Sequence, residues 1–497
     1  MGFLLIITNQ LLQSAAKKIK VKRVIQTITI TLSIFALSNI AVAQNSTSGA
    51  QADSVRLSLQ ELTAVVIKYH PIAKQADIQI GEAKQDLRIS RGAFDPVFSY
   101  RLSEKTFDGT SYYAYQQPNL TIPTWFGVSI QSGLEQVDGN RIDPTETLGR
   151  SSYLGIQIPL GRDLLTDKRR TDLQKAKIAR DASFTERRKM LNDLLLEAHS
   201  SYWEWWQHAR IFSIATEALK VVKKRLDFVK GSVRLGDRPA IDSIEALAQV
   251  QIFEVQWNNA LLALRKSQWE LSQFLWQENQ TPYILPENCQ PAALVYEQFI
   301  SNQTLPTLDS LLSIAKTRHP ELVLYDYKLN SLTLEKRYRT QQLLPKATFN
   351  YNFLEKGYQW TAPKSVLFEN NYQYGVSINI PLRLSAERGE YRKIRYSIQS
   401  TSLEQDLKRL QIENKVRANF FEVENMRKQI DVQERALNSF QILLRGEELR
   451  FRTGESSLFL INARESRVWD SAQKLEEIKA KYLLAYQKLL WSAGLLN

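Results

Sequence analysis

The chain has 497 residues, 43% of them hydrophobic and 24% charged, with a formal net charge of +13. That balance excludes both a disordered tail and a polytopic bundle of membrane helices. Only 19 glycines and 15 prolines punctuate it, which leaves room for very long uninterrupted elements and argues against a loop-rich sandwich or a Rossmann-type enzyme.

Residues 1–43 read as a signal peptide. Lys17, Lys18, Lys20, Lys22 and Arg23 precede an apolar run from Val24 to Ala36, and Ala41-Val42-Ala43 supplies an A-x-A cleavage site before Gln44. Thr27, Thr29, Thr31 and Ser33 interrupt the run, against a true membrane helix. Cleavage near Ala43 removes five basic groups and lowers the net charge to +8. The remaining Lys and Arg are interleaved with Glu and Asp along helical stretches, so nucleic acid is not an expected partner. No later apolar run approaches the ~20 residues of a membrane helix, which leaves a periplasmic protein or an outer-membrane β-barrel.

Two repeats follow, residues 44–285 and 307–497, separated by a linker at 286–306. Leu62 to Pro71 matches Leu311 to Pro320, each a short helix, a His-Pro turn and the start of another helix. His70 and His319 read as parts of a helix-breaking turn before proline rather than as metal ligands, because no second ligand lies at helical spacing.

Strand pairs are expected next, at about 94–160 and 345–383. Phe98, Tyr100 and Leu102 alternate with polar residues, as do Phe349, Tyr351 and Phe353 and, on the returning strand, Val376, Ile378 and Ile380. Their lengths approach the ~9–11 residues that a tilted strand needs to cross a bilayer. Tyr112, Tyr113, Tyr115, Trp125, Tyr358 and Trp360 suit an aromatic girdle or the packing of outer loops. The segment 107–150 holds an extra alternating stretch from Trp125 to Leu134, either a longer hairpin or a surface loop.

Long helices are expected at about 167–235 and 386–452. One stripe runs Leu191, Leu194, Ala198, Ser201, Trp205, His208, Phe212, Ala215, Leu219, Val222, Leu226, Val229 and Val233. The other runs Ile412, Val416, Asn419, Val423, Met426, Ile430, Gln433, Leu437, Phe440, Leu444, Glu447 and Phe451. Spacing that alternates between three and four winds helices around each other, and the polar members read as register-setting seam positions. Gly236 and Gly454 allow the chain to turn, with return helices at about 241–277 and 458–491. Trp203, Trp205 and Trp206 read as seam filling. Cys289, the only cysteine, marks the boundary between repeats and cannot form an intrachain disulfide.

The ordered, duplicated set of motifs resembles the TolC family of outer-membrane efflux channels. The motifs are the His-Pro helices, Phe94-Asp95-Pro96 and Leu344-Pro345 opening a strand, Ile158-Pro159-Leu160-Gly161-Arg162 and Ile380-Pro381-Leu382 closing the strand pairs, and the Gly236 and Gly454 turns. The resemblance implies a fold that is mainly α with membrane β. Antiparallel coiled-coil hairpins would form a periplasmic α-barrel, and four strands per subunit would join a homotrimer's 12-stranded β-barrel. Four strands cannot close a barrel alone, and an open edge in lipid is prohibited, so a membrane-spanning chain must oligomerise.

By the same resemblance the protein is a passive export conduit of a tripartite efflux or type I secretion system. Its partners are outer-membrane lipid, a periplasmic adaptor and an inner-membrane pump. The tips at Gly236, Asp237, Gly454 and Glu455 are where an adaptor would dock. Asp242 falls at an acidic position of the family's entrance constriction, with Glu245 one helical step later and Arg238 or Arg464 as candidate ion-pair partners. The corresponding acidic positions of the second repeat are Leu460 and Ala463 here, so a double aspartate ring is not reproduced. The competing role for Asp242, Glu245 and Glu455 is that of helix-start residues facing a positive dipole end. No catalytic, cofactor or metal site is expected, since no phosphate-binding loop, zinc helix or nucleophile elbow occurs. The rival function is a periplasmic coiled-coil adaptor or scaffold, and the discriminator is an apolar outward face on every strand.

Overall fold

The computed structural model describes residues 56–143, 146–292, 305–358 and 367–496. The expected signal peptide and its cleavage site, most of the linker, and Trp360 lie outside the described residues. A short strand β1 (Arg56–Leu57) leads into helices α1 (Leu59–Tyr69) and α2 (Pro71–Gly92). Four strands follow: β2 (Val97–Phe107), β3 (Thr110–Pro123), β4 (Ser129–Asp138) and β5 (Gly149–Pro159). Then come the long helix α3 (Lys168–Arg234), its return α4 (Ala240–Ser272) and β6 (Gln290–Pro291). The second repeat comprises α5 (Leu308–Arg318), α6 (Pro320–Gln341), β7 (Lys346–Lys356), β8 (Tyr372–Asn379), α7 (Ser385–Arg452) and α8 (Leu458–Ser492).

The His-Pro motifs are hinges with two caps each. The backbone N–H of His70 closes α1 on Val66, and its ring Nδ1 accepts from Ile72 N–H at 3.2 Å to open α2. His319 closes α5 on Ala315 and accepts from Glu321 N–H at 3.2 Å. The following proline excludes helical ψ at the histidine and fits the first helical position, where its missing N–H costs nothing. The Nδ1 atom of each ring is thus engaged as a helix cap.

Helices α3 and α7, of 67 and 68 residues, are each about 100 Å long. No member of either stripe is exposed. The polar seam positions meet the facing helix: Asn419 Nδ2 donates to the Lys488 carbonyl at 3.0 Å, and Gln433 Nε2 to both the carbonyl and the hydroxyl of Ser471 at 3.0 Å. Such bonds tie one helix register to the other, because a slip would leave buried amides unpaired.

Both hairpins turn in the same way. Gly236 N–H donates to Val233 and Asp237 N–H to Ser232, while Gly454 N–H donates to Phe451 and Glu455 N–H to Arg450. These are Schellman caps, and the glycines take φ of +81° and +82°. A β-carbon at either position would meet nothing within 4 Å, so backbone conformation alone selects glycine.

The equatorial core gathers the hinge helices, the upper parts of α3 and α7, and the end of α8. Trp203, Trp205 and Trp206 fill it with Tyr202, Leu62, Val66, Leu311, Leu312, Leu483 and Leu489, as seam packing requires. Cys289 is buried in the same cluster, and burial pushes its thiol up to about 11, which makes it inert near neutral pH. The linker also docks on the first repeat through β6, which runs parallel to β1.

Where four strands were expected, the sheet holds six. Among the described residues the long strands lie in one antiparallel sheet in the order β2-β3-β4-β5-β7-β8, six in all. The first repeat contributes four, so the segment 107–150 supplies a second hairpin rather than a surface loop. Its strand β3 is disguised by Pro118 and Pro123 and by Tyr112 and Tyr113 standing side by side. Proline is tolerated because β3 keeps its pairing with β2 at Tyr100–Pro118 while the β3–β4 ladder lapses at that point. The repeats are joined through β5 and β7, where Arg162 N–H also donates to the Pro345 carbonyl at 2.9 Å.

Candidate channel wall and helical tip

The six-stranded sheet separates its side chains by chemistry. Phe98, Tyr100 and Leu102 on β2 share a face with Pro118, Leu120 and Ile122 on β3 and with Ile130 and Leu134 on β4. The same face continues through Leu154, Ile156 and Ile158 on β5, Phe349, Tyr351 and Phe353 on β7, and Tyr374, Val376 and Ile378 on β8. Ser132 interrupts the set, and towards the end away from the helices the face turns polar at Gln116, Gln136, Ser152 and Glu355. The opposite face carries Ser99, Arg101, Asn119, Thr121, Gln131, Gln157, Asn350, Asn352, Gln373 and Ser377. Apolar and polar residues thus alternate on every strand, the pattern of a wall between lipid and water.

The helices attach at one end of this sheet. The β3–β4 turn lies at that end too, since Arg170 near the start of α3 donates to the Phe126 carbonyl at 3.5 Å. Trp125 in this turn is 77% exposed. At the other end Tyr113 stacks on Tyr115 at 4.8 Å, Arg150 lies over Tyr358, and Tyr358 donates to Gln136 Oε1 at 3.1 Å. The connection after β4 folds over the polar face: Asp143 N–H donates to the Tyr115 hydroxyl at 3.2 Å, and Gln117 Nε2 reaches both Glu146 carboxylate oxygens at 3.1 and 3.0 Å.

At the far end of the hairpins, the sequence candidates fall into two groups. Gly236, Asp237, Gly454 and Glu455 are exposed in the two turns, beside Leu235, which is 79% exposed. Asp242 and Arg238 form an ion pair at 3.4 Å. Glu245 is held differently, accepting from Asn462 Nδ2 of α8 at 3.3 Å. Arg464 contacts neither; its Nε lies 3.9 Å from Glu447. Asp242 and Arg238 are therefore brought together, Glu245 is linked across the hairpins, and Arg464 serves another carboxylate.

Three further contributors were not read as tip contacts from the sequence, although Phe451 and Glu447 stand in the second stripe. Phe451, buried at the end of α7, carries the Arg238 guanidinium 3.6 Å above its ring. Glu447 is a buried carboxylate at a seam position, accepting from Ser456 Oγ at 2.6 Å with Arg450 3.9 Å away. Its place in the stripe was the available signal, since a carboxylate at a seam needs partners. Further up, Arg225 donates to both oxygens of Glu465 at 2.6 and 2.8 Å and to Glu448 at 3.5 Å. Burial raises the Glu465 carboxyl, and Arg225 opposes that shift.

A wall of alternating strands continued by helical hairpins defines the fold of the TolC-type outer-membrane efflux channels. The chain resembles the CmeC outer membrane channel of Campylobacter jejuni, with a TM-score of 0.60 and 13% identity over 92% of this chain and 93% of that one. It resembles the outer membrane protein VceC of Vibrio cholerae at 0.60 and 13%, covering 88% and 96%. The open-state MtrE outer membrane channel of Neisseria gonorrhoeae matches at 0.61 and 14%, covering 92% and 96%. No family model matches the sequence, and no curated protein matches it.

Proposed function

We propose that the protein is the outer-membrane channel of a trans-envelope export assembly, a passive conduit with an open-ended polar bore. The apolar face present on every strand of the sheet carries this reading, because only lipid or another protein favours so extensive an apolar surface, most of it exposed or half-buried with Tyr351 covered by Phe353, Phe368 and Tyr372. The helices, about 100 Å long, attached to one end of that wall suit a tunnel through the periplasm, and similarity to structures of outer-membrane channels supports the same role. A homotrimer would close the wall. A periplasmic adaptor would meet the exposed tips around Gly236 and Gly454, and an inner-membrane pump, in a tripartite efflux or type I secretion system, would supply the energy. The mature chain would begin after cleavage near Ala43.

Within this reading, Arg238 and Asp242 hold the first hairpin against the second, and release of that contact opens the tunnel entrance. The rival adaptor or scaffold role is less well supported, since a soluble protein gains nothing from aligned apolar residues on six strands. The test is membrane fractionation followed by native mass of the detergent-extracted protein and conductance in planar bilayers. Outer-membrane oligomers that conduct ions are expected; a soluble periplasmic monomer or dimer would overturn the channel and favour the scaffold.

A further inference from the structure

The two outer strands of the sheet, β2 and β8, have no partner on their free sides among the described residues. Both present polar backbone groups beside exposed apolar side chains: Phe98, Tyr100 and Leu102 on one, Tyr374, Val376 and Ile378 on the other. In lipid an unpaired strand edge costs several kcal/mol per unsatisfied group. Six strands are too few to close on themselves, since the smallest membrane barrels have about 8.

The register indicates what the edges meet. A line drawn straight across the sheet passes through Val97, Thr121, Gln131, Gly155, Asn352 and Gln373. It starts at the helix-side end of β2, lies two residues inside the ends of β3 and β4 and four inside β5, and is six residues short of the end of β8 at Asn379. The sheet is therefore sheared steadily in one direction, by six residues in five steps. With a rise of about 3.3 Å per residue and strands about 4.8 Å apart, that shear tilts the strands by about 40°. Closed membrane barrels tilt theirs by about 35–45°. β2 and β8 also run in opposite directions along the sheet, so the free edge of one is an antiparallel complement for the other.

We propose that a second copy of this chain occupies each edge, β8 of one copy pairing with β2 of the next. The β3–β4 hairpin is then part of the membrane wall, so each copy contributes six strands. This inference rests on the membrane-channel reading. It changes its dimensions: three copies make a barrel of 18 strands rather than 12. At the observed tilt that barrel is about 36 Å across between backbones, against about 24 Å for 12 strands. The hairpin has the features of a membrane strand pair: outward Leu120, Ile122 and Ile130, inward Asn119, Thr121 and Gln131, and a helix-side turn bearing exposed Trp125 and Phe126. Continuing the shear of about one residue per strand across the subunit boundary places Ser377 of β8 opposite Ser99 or Arg101 of the neighbouring copy.

The test uses the full protein reconstituted in lipid vesicles, with Cys289→Ser as background. Spin labels are placed singly at Asn119, Leu120, Ile130 and Gln131 in the hairpin. Control labels go at Ile156, Gln157, Val376 and Ser377 in β5 and β8. Collision with oxygen marks a lipid-facing label, and collision with a water-soluble nickel chelate marks a lumen-facing one. The expected result is a preference that reverses between neighbouring residues in both sets, oxygen at Leu120 and Ile130 and chelate at Asn119 and Gln131. Reversal in the controls but chelate access throughout the hairpin would overturn the six-stranded wall while leaving the channel standing. Loss of reversal in the controls as well would overturn the channel itself. In the second measurement, Ser377→Cys is combined with Ser99→Cys or Arg101→Cys and oxidised. One of the two pairs is expected to give a covalent trimer on a non-reducing gel, whereas Ser377→Cys with Lys105→Cys gives monomer. Monomer from all three pairs would overturn the β8–β2 junction.

Discussion

The guanidinium of Arg238 lies 3.6 Å above the ring of Phe451 and donates to that residue's own carbonyl oxygen at 3.2 Å. One side chain from the first hairpin thus stacks on, and bonds to, the last turn of the long helix of the second. A cation over an aromatic face contributes about 0.5–2 kcal/mol depending on its hydration, and a charged hydrogen bond adds a comparable amount. The pair is a direct clasp between the hairpins at their tips, and Asp242 forms an ion pair with the same guanidinium at 3.4 Å.

Removing the clasp is expected to loosen the tips. Arg238→Ala should raise single-channel conductance, and Asp242→Ala should raise it less, because it leaves the stacking in place. Planar-bilayer recording reads both. Conductance and cation preference unchanged from the parent in both variants would remove these residues from any gate.

The Arg225–Glu465 contact predicts a stability effect of a different kind. Glu465 has a side chain only 9% exposed, so Arg225→Ala strands a buried carboxylate and is expected to cost about 3–5 kcal/mol. The double variant Arg225→Met with Glu465→Leu removes both charges and should recover most of that loss. Thermal unfolding of the detergent-solubilised protein distinguishes the two; equal melting temperatures for the single and double variants would show that the pair is not coupled.

Acid sensitivity follows from the histidines. Burial lowers all four, His70, His199, His208 and His319, below their ordinary 6.5. His199 is held between the Thr63 hydroxyl at 2.8 Å and Gln487 Oε1 at 3.1 Å. The unfolded chain therefore takes up these protons first, so stability is full above about pH 6.5 and declines as pH falls from there toward the folded values. Unfolding followed between pH 7.5 and 5.5 should show this slope, and His199→Gln should flatten it. A profile that stays level through this range would contradict the burial argument.

At the hairpin turns the cost is conformational. Gly236→Ala and Gly454→Ala find open space for the new methyl group, but each is forced to positive φ and should lose about 1 kcal/mol. Asn at the same positions should lose less, because it tolerates that region. Comparison of Ala and Asn variants by thermal unfolding checks the sign. Equal melting temperatures would mean that the turns relax.

What could be read along the chain and what could not divide by the range of the interaction. The long helices, their seams, the glycine turns and the His-Pro hinges were legible because each rests on contacts within a few residues or on a period of side chains. The Schellman bonds at Gly236 and Gly454 and the twofold capping by His70 and His319 are of this local kind. Strand β3 was not legible, since Pro118 and adjacent tyrosines break the alternation, and only pairing with β2 makes it a strand. The joining of the repeats through β5 and β7, the partner of Arg464 and the stacking of Arg238 on Phe451 link residues nearly 200 or more positions apart or on opposite arms of a turn. By itself the sequence determined the periodic elements and their duplicated order, because those are set by short-range sterics and the burial of one face. Tertiary structure decided which strands join the sheet and which charges meet at the tip, because strand pairing and ion pairing depend on which distant segments folding brings to the same place.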